Sequence, residues 1–425
     1  MNKRILVILF VLLFIGLATA GAVAFLKPYN PTSPPPAEEI GKTAEGVTAV
    51  VNSSNQFNID FYKEVIKIEN GNIFYSPYSI YSALAMTYEG ADGTTAEEMK
   101  KVFYFPESEI LRPNFAALYN TINKADKQYE LRTGNALWAQ NDYKFLDSYF
   151  SNVEKYYGGK AVNLDFMNEP ELCRNTINTF IAEQTNNRIK DVIPAGAVNS
   201  QTRLVISNAI YFKGKWDLEF DKEKTRDLDF KTLTGSVSVP MMFMTPKSEE
   251  TFNYYENDEL QVLELPYKNK ELSMIVLLPK EEDGLSNLEN EMDFTKLNTW
   301  ISNLKSTNVD QIYLPKFEFD IFTNIITPLT KLGMTAAFST SSADFSKMTG
   351  NRELYVSNIL HKAFIKVDEE GTEAAAATVV LIDSTSAEGP TDELIFRADH
   401  PFIFMIRENQ TGAILFIGRI TNPSS

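Results

Sequence analysis

Residues 366–396 read KVDEEGTEAAAATVVLIDSTSAEGPTDELIF, and no single secondary structure suits them. Glu369, Glu370, Gly371, Thr372 and Glu373 lead into Ala374, Ala375, Ala376 and Ala377, then Thr378, Val379 and Val380. Alanine is the best helix former. The run nevertheless follows a glycine and ends in β-branched residues that favour strands. Ordered-looking sequence flanks it on both sides, so the segment calls for a role other than ordinary helix, strand or core.

The rest of the chain narrows that role. Its 425 residues allow a large core, and a hydrophobic content of 44% with abundant Phe and Tyr argues against disorder for most of it. A formal net charge of −16, with no cluster of Lys and Arg, disfavours a nucleic-acid partner, because phosphate binding needs basic stripes. Cys173 is the only cysteine, which excludes an internal disulfide and reads as a small buried side chain.

At the N-terminus, Lys3 and Arg4 precede an apolar run over 5–26 with small-residue patterns at Ala18-Thr19-Ala20 and Ala22-Val23-Ala24. Residues 1–26 therefore read as a cleavable signal peptide, or as an uncleaved membrane anchor with Lys27 at its end. Either sends the remainder outside the cell. Residues 27–55, rich in Pro and Ser at their start, read as a flexible linker. Asn52-Ser53-Ser54 and Asn409-Gln410-Thr411 match the glycosylation sequon.

From residue 56 to 425 no proline- or glycine-rich linker and no fixed-period repeat interrupts the pattern, which predicts one large domain. Its first half looks mainly helical. SSNQFNIDFYKEVIKI carries a Ser/Asn cap signal and helically spaced apolar residues. SPYSIYSALAMTYEGA offers Ser76 as N-cap, Pro77 at the first helical position and Gly90 as a stop. TTAEEMKKVF resembles a capping box, and PELCRNTINTFIAEQTNNRI an amphipathic helix. After Gln201 the segments turn to strands, with hairpin loops expected at Lys268-Asn269-Lys270 and over 408–412. Helices first and strands later predict an α+β fold.

Catalytic chemistry finds little support. The two histidines are His361, in an apolar strand, and His400, beside Asp399 on what reads as a strand, where neighbours face opposite ways. Neither reads as a catalytic base, and a pair of Cys173 with either histidine has nothing to commend it. No metal-ligand spacing, phosphate loop or singled-out carboxylate pair is present. No catalytic residue, metal or cofactor is expected.

The segments NIFYSPYSIYSALAMTYEGADGTTAEEM, ISNAIYFKGKWDLEF, HKAFIKVDEEGTEAAAATVV and DHPFIFMIREN…GAILFIGRITNP together resemble the serpins, the protease-inhibitor family with a large reactive loop. Shorter stretches, GNALW, LELPYKNKELSMIVLLP and YLPKFEFD, resemble intervening family elements, so the likeness runs from about residue 56 to 423 in the family's order. It implies three β-sheets, about nine helices and an exposed reactive-centre loop over about 369–392. It also implies that a serine protease cleaves the loop and is held as a covalent acyl-enzyme while the cut loop inserts into the main sheet. Serpin loop insertion is itself a known case of strand addition and stored strain.

The residues themselves supply a test of that implication. If Thr372 faces inward, Ala374, Ala376, Thr378 and Val380 follow it, all small or β-branched, while Glu373 faces the other way. Gly371 gives the hinge backbone freedom. A strand of about a dozen residues would gain on the order of ten hydrogen bonds at roughly 1 kcal/mol each, comparable with a whole domain's ~5–15 kcal/mol. A fold that withholds such a strand is metastable. If the alanines instead form a surface helix or inert loop, the member is non-inhibitory, a binding, carrier or chaperone protein.

The family's loop spacing puts the reactive bond at Thr385–Ser386, with Asp383 and Ser384 within register error. With no Lys or Arg between 366 and 397, trypsin-like proteases have no handle. Elastase-like or subtilisin-like targets are expected, of a monomeric inhibitor that is secreted or tethered to the outer face of the membrane. The resemblance further implies that Ser76, Ser79, Asn208 and His361 form a polar cluster regulating the parting of the sheet. It also places Trp216 and a Glu369–Lys316 pair where insertion begins.

Overall fold

The Ser76-Pro77 start does what its sequence predicts. In the computed structural model, which describes residues 36–124, 128–372 and 393–424, the Ser76 hydroxyl accepts the Ser79 amide at 3.1 Å. Helix α2 (Pro77–Tyr88) follows, buried on nearly every face. The helix before it departs from expectation. Helix α1 (Ala44–Val65) begins inside the predicted linker, with its first twelve residues there, and is capped by Thr43, whose hydroxyl accepts the Gly46 amide at 2.9 Å. Val50 and Val51 extend the apolar face of Phe57 and Phe61 upstream, so burial carries the helix past Ser53 and Ser54. Ser53 bonds back to the Ala49 carbonyl instead of capping. The compact unit therefore starts at Pro36, not residue 56.

Helix α3 (Gly93–Phe103) likewise begins after Asp92 and not at a threonine capping box. Thr95 turns inward to receive the Asp344 amide, and Glu98 accepts the amides of Thr335 and Ala336. The further helices are α4 (Ser108–Ile122), α5 (Asp147–Tyr157), α6 (Pro170–Gln184), α7 (Leu285–Glu291), α8 (Phe294–Ser302), α9 (Ile326–Leu332) and the single turn α10 (Ser346–Thr349).

The strands form three sheets. The seven-stranded sheet runs β1 (Ile73–Tyr75), β17 (Ile414–Ile420), β16 (Phe402–Glu408), β9 (Leu272–Pro279), β8 (Leu260–Pro266), β7 (Phe252–Glu256), β10 (Lys305–Thr307). Both expected hairpins occur here, β8–β9 and β16–β17, each antiparallel. The four-stranded sheet runs β15 (Ile395–Arg397), β11 (Gln311–Pro315), β6 (Gly235–Met244), β5 (Arg226–Thr232). The six-stranded main sheet runs β12 (Phe317–Asn324), β13 (Val356–Asp368), β14 (Gly371–Thr372), β4 (Leu204–Lys215), β2 (Tyr129–Gln140), β3 (Lys160–Leu164). Helix-then-strand order thus yields an α+β fold, although β1, β2 and β3 lie inside the half that reads as helical.

The central strands β4 and β13 are buried along most of their length, with side chains on both faces of the sheet covered. One face joins the large core beneath α2 and the seven-stranded sheet. The other, through Trp138, Val205, Ala209 and Phe364, meets α6 residues Cys173, Ile177, Phe180 and Ile181. Cys173 is buried there, as its sequence context predicts, and burial raises its thiol pKa to about 11.

Candidate functional site

Strands β13 and β4 pair directly and in parallel from Val356–Leu204 to Ala363–Ile210. Beyond that point they part, and the two residues of β14 fill the gap. Thr372 faces Val367 on one side and Gly214 on the other, and Gly371 faces Asp368 and Lys215, antiparallel to both neighbours. Gly371 adopts φ 155°, and a Cβ there would drive into the Gly214 carbonyl oxygen. Only glycine fits. The first residues of the segment 369–392, expected as exposed loop, are therefore packed.

Each residue of this entrance is held separately. The Thr372 hydroxyl lies 2.7 Å from the Tyr267 hydroxyl, fully buried. Tyr267 stacks on Trp216 with centroids 4.6 Å apart. The Trp216 indole donates to the Asp368 carbonyl at 3.0 Å, and its amide donates to the Glu370 carbonyl at 2.9 Å. Burial pushes the Glu369 carboxyl up, but Lys316 Nζ at 2.8 Å and the Thr225 hydroxyl at 2.7 Å outweigh it and hold the pKa below the usual range. Glu370 pairs with Lys222 and, at 3.8 Å, with Lys215. The Glu369 side chain is only 6% exposed against 35% for Lys316, so this pair is more sheltered than a surface bridge.

Further down the same seam lies the polar cluster. The Ser76 amide donates to His361 Nε2 at 3.0 Å, so Nδ1 carries the proton and donates to Asn208 Oδ1 at 2.5 Å. Asn208 Nδ2 faces the Ser79 hydroxyl at 2.6 Å and Asn135 Oδ1 at 2.6 Å. Asn135 in turn donates to the Ser82 hydroxyl at 2.7 Å, and Ser76 Oγ donates to the Leu415 carbonyl at 2.6 Å. One network thus ties β13, β4, β2, β17 and the start of α2. Burial depresses the His361 pKa to about 3, so the ring is neutral.

His400 corrects an expectation. Residues 398–401 leave strand geometry, and His400 Nδ1 sits 2.9 Å from Asp399 Oδ1 instead of facing away from it. Its Nε2 meets the Pro279 carbonyl at 2.7 Å. Both ring nitrogens of both histidines are occupied by structural partners, which leaves neither for Cys173 or a nucleophile. Among the described residues no group of His, Cys, Asp and Glu could hold a metal ion. Of the sequons, Asn52 lies within α1 and the Asn409 amide is engaged by Lys270 and Ser273.

Ser76, Ser79, Asn208 and His361 thus meet in one network, and Trp216, Lys316, Glu369, Glu370, Gly371 and Thr372 meet at its upper end. The expected hinge residues Glu373, Ala374, Ala375, Ala376, Ala377 and Thr378, the bond Thr385–Ser386 with Asp383 and Ser384, and the segment 1–26 lie outside the described residues. Sequence reasoning missed Asn135, Ser82, Tyr267, Thr225 and Lys222. Asn135 alone left a signal, a polar side chain in the apolar run GNALW.

Residues 52–423 match the family profile described as serpin (serine protease inhibitor). An uncharacterized serpin-like protein of Methanosarcina acetivorans is 40% identical over 378 residues, 88% of this chain and 86% of the relative. The leukocyte elastase inhibitor of Xenopus tropicalis is 39% identical over 374 residues, 86% of this chain and 97% of the relative. Serpin48 of the insect Tenebrio molitor, a solved structure described as a highly specific serpin, superposes with a TM-score of 0.78 at 33% identity, covering 88% of this chain and 98% of that one.

Proposed function

This chain belongs to the serpin family, and from that premise we propose that it is a suicide inhibitor of serine proteases, acting outside the cell. The protease's serine oxygen bonds to the loop carbonyl carbon near Thr385. The peptide C–N bond then breaks, and the amine of Ser386 departs with the proton. The ester that remains is held from hydrolysis because the cut loop inserts between β13 and β4. Elastase-like and subtilisin-like enzymes are the proposed targets, on the small and aliphatic character of residues 379–388.

The observation that supports this reading is the seated start of β14. Thr372 faces the core, which makes it the inward residue. Extending its register would bring Ala374 between Ile365 and Phe212, Ala376 between Ala363 and Ile210, and Thr378 between His361 and Asn208. The direct pairs His361–Asn208 and Ala363–Ile210 keep the same spacing between the two strands that Thr372 already bridges. Neither neighbour would have to slip. Only small inward residues would meet the core at the two positions after Thr372.

Mixing the protein with elastase-like, subtilisin-like and chymotrypsin-like proteases tests the proposal. A covalent band that survives SDS and boiling is expected with at least one of them. Cleavage of the loop with full retention of protease activity throughout the panel would favour a non-inhibitory binding role.

A further inference from the structure

We propose that Tyr267 is a positioning residue for loop insertion. Its hydroxyl holds Thr372 in the register of the incoming strand before the loop is cut, so that insertion lengthens an existing strand. The inference rests on the reading of this chain as an inhibitor.

Tyr267 follows β8 at the start of the Lys268–Lys270 turn, so it belongs to the framework and not to the moving segment. Its ring is fixed from two sides, stacked on Trp216 and edge-on to Phe212 at 5.0 Å. Its amide donates to the Leu272 carbonyl at 2.9 Å. The fully buried hydroxyl therefore points in one direction, and among the described residues the Thr372 hydroxyl is its hydrogen-bond partner.

That contact discriminates between registers. A slip of one residue would turn Glu373 toward the core. A slip of two would set Ala374 against Tyr267 and leave a buried hydroxyl unsatisfied, disfavoured on the order of tenfold or more. A strand must also be started before it can be extended, and non-local pairing is slow until its first contacts are made. Insertion competes with hydrolysis of the acyl-enzyme ester. A pre-seated, register-locked start shortens the slower side of that race.

The test uses the full chain with Tyr267→Phe, Thr372→Val and the double variant. With a protease that the wild type traps, each single variant should raise the share of inhibitor cut and released several-fold, because one buried hydroxyl is orphaned. The double variant, which lacks the same single contact, should do so by no more than either single variant. Hydrogen exchange of the intact protein should show protected amides over 371–372 and in the facing residues 214–215 and 367–368, with faster exchange in Tyr267→Phe. Loop-like exchange in the intact wild type would overturn the proposal. So would a lowered melting temperature in Tyr267→Phe with an unchanged split between trapped and released protease. If no protease is trapped by the wild type, the inhibitor reading fails. Hydrogen exchange then still decides whether Tyr267 seats the strand.

Discussion

His361 concentrates the chemistry of the seam in one ring. Its Nε2 accepts from Ser76 and its Nδ1 donates to Asn208, in a fully buried position. His361→Ala should lower stability by about 2–4 kcal/mol, through a cavity and two orphaned polar groups; thermal unfolding of the variant measures it. The sign of its pH response is also set. With the folded pKa near 3 and an unfolded value of about 6.5, the unfolded chain binds the extra proton between the two. The contribution is complete above the unfolded pKa and falls as pH drops below it, by up to about 1.4 kcal/mol per pH unit. His400 behaves oppositely. Burial lowers its pKa, but the Asp399 carboxylate, the Pro279 carbonyl and the nearby Glu282 raise it further, so the folded value is raised. Its contribution is full below the unfolded pKa and is lost as pH rises through the folded one. The stability difference between wild type and His400→Gln should therefore be larger at pH 6 than at pH 9, as denaturant titrations at the two pH values would show.

At the scale of elements, the parting of β13 and β4 governs what the main sheet can accept. The core-facing position of Thr372, between Val367 and Gly214, has no room for a long charged side chain. If the chain inhibits as proposed, Thr372→Arg should make it a substrate instead: the loop is cut at a normal rate, yet no SDS-stable band forms. Equal yields of covalent complex from Thr372→Arg and wild type would refute the role of this slot. The Lys316–Glu369 pair is a weaker constraint, because Lys316 is partly solvated and Thr225 also serves Glu369. Lys316→Ala should cost less stability than His361→Ala in the same melting assay.

For the whole molecule, the proposal requires that the intact fold is not the most stable one available to the chain. Completing β14 would add on the order of ten ladder hydrogen bonds at roughly 1 kcal/mol each. The nicked protein should then melt higher than the intact one by on the order of 10 °C or more. A nicked sample that melts with the intact protein in calorimetry would remove the basis for suicide inhibition.

Features that depend on local pattern could be read from the chain alone. The α+β class, the Ser76-Pro77 helix start and the two hairpin turns each depend on residues close together in the chain. Tertiary structure decided what depends on distant partners. Thr43, not Ser53 or Ser54, starts α1 because Val50 and Val51 have a core to enter. His361 meets Ser76 across 285 residues, and Thr372 meets Tyr267 across 105. Nothing in the local sequence of Tyr267, Thr225 or Lys222 distinguishes them from other polar or aromatic residues. They matter because the fold closes buried hydrogen bonds and ion pairs around one seam, and a buried polar group is stable only where its partner arrives.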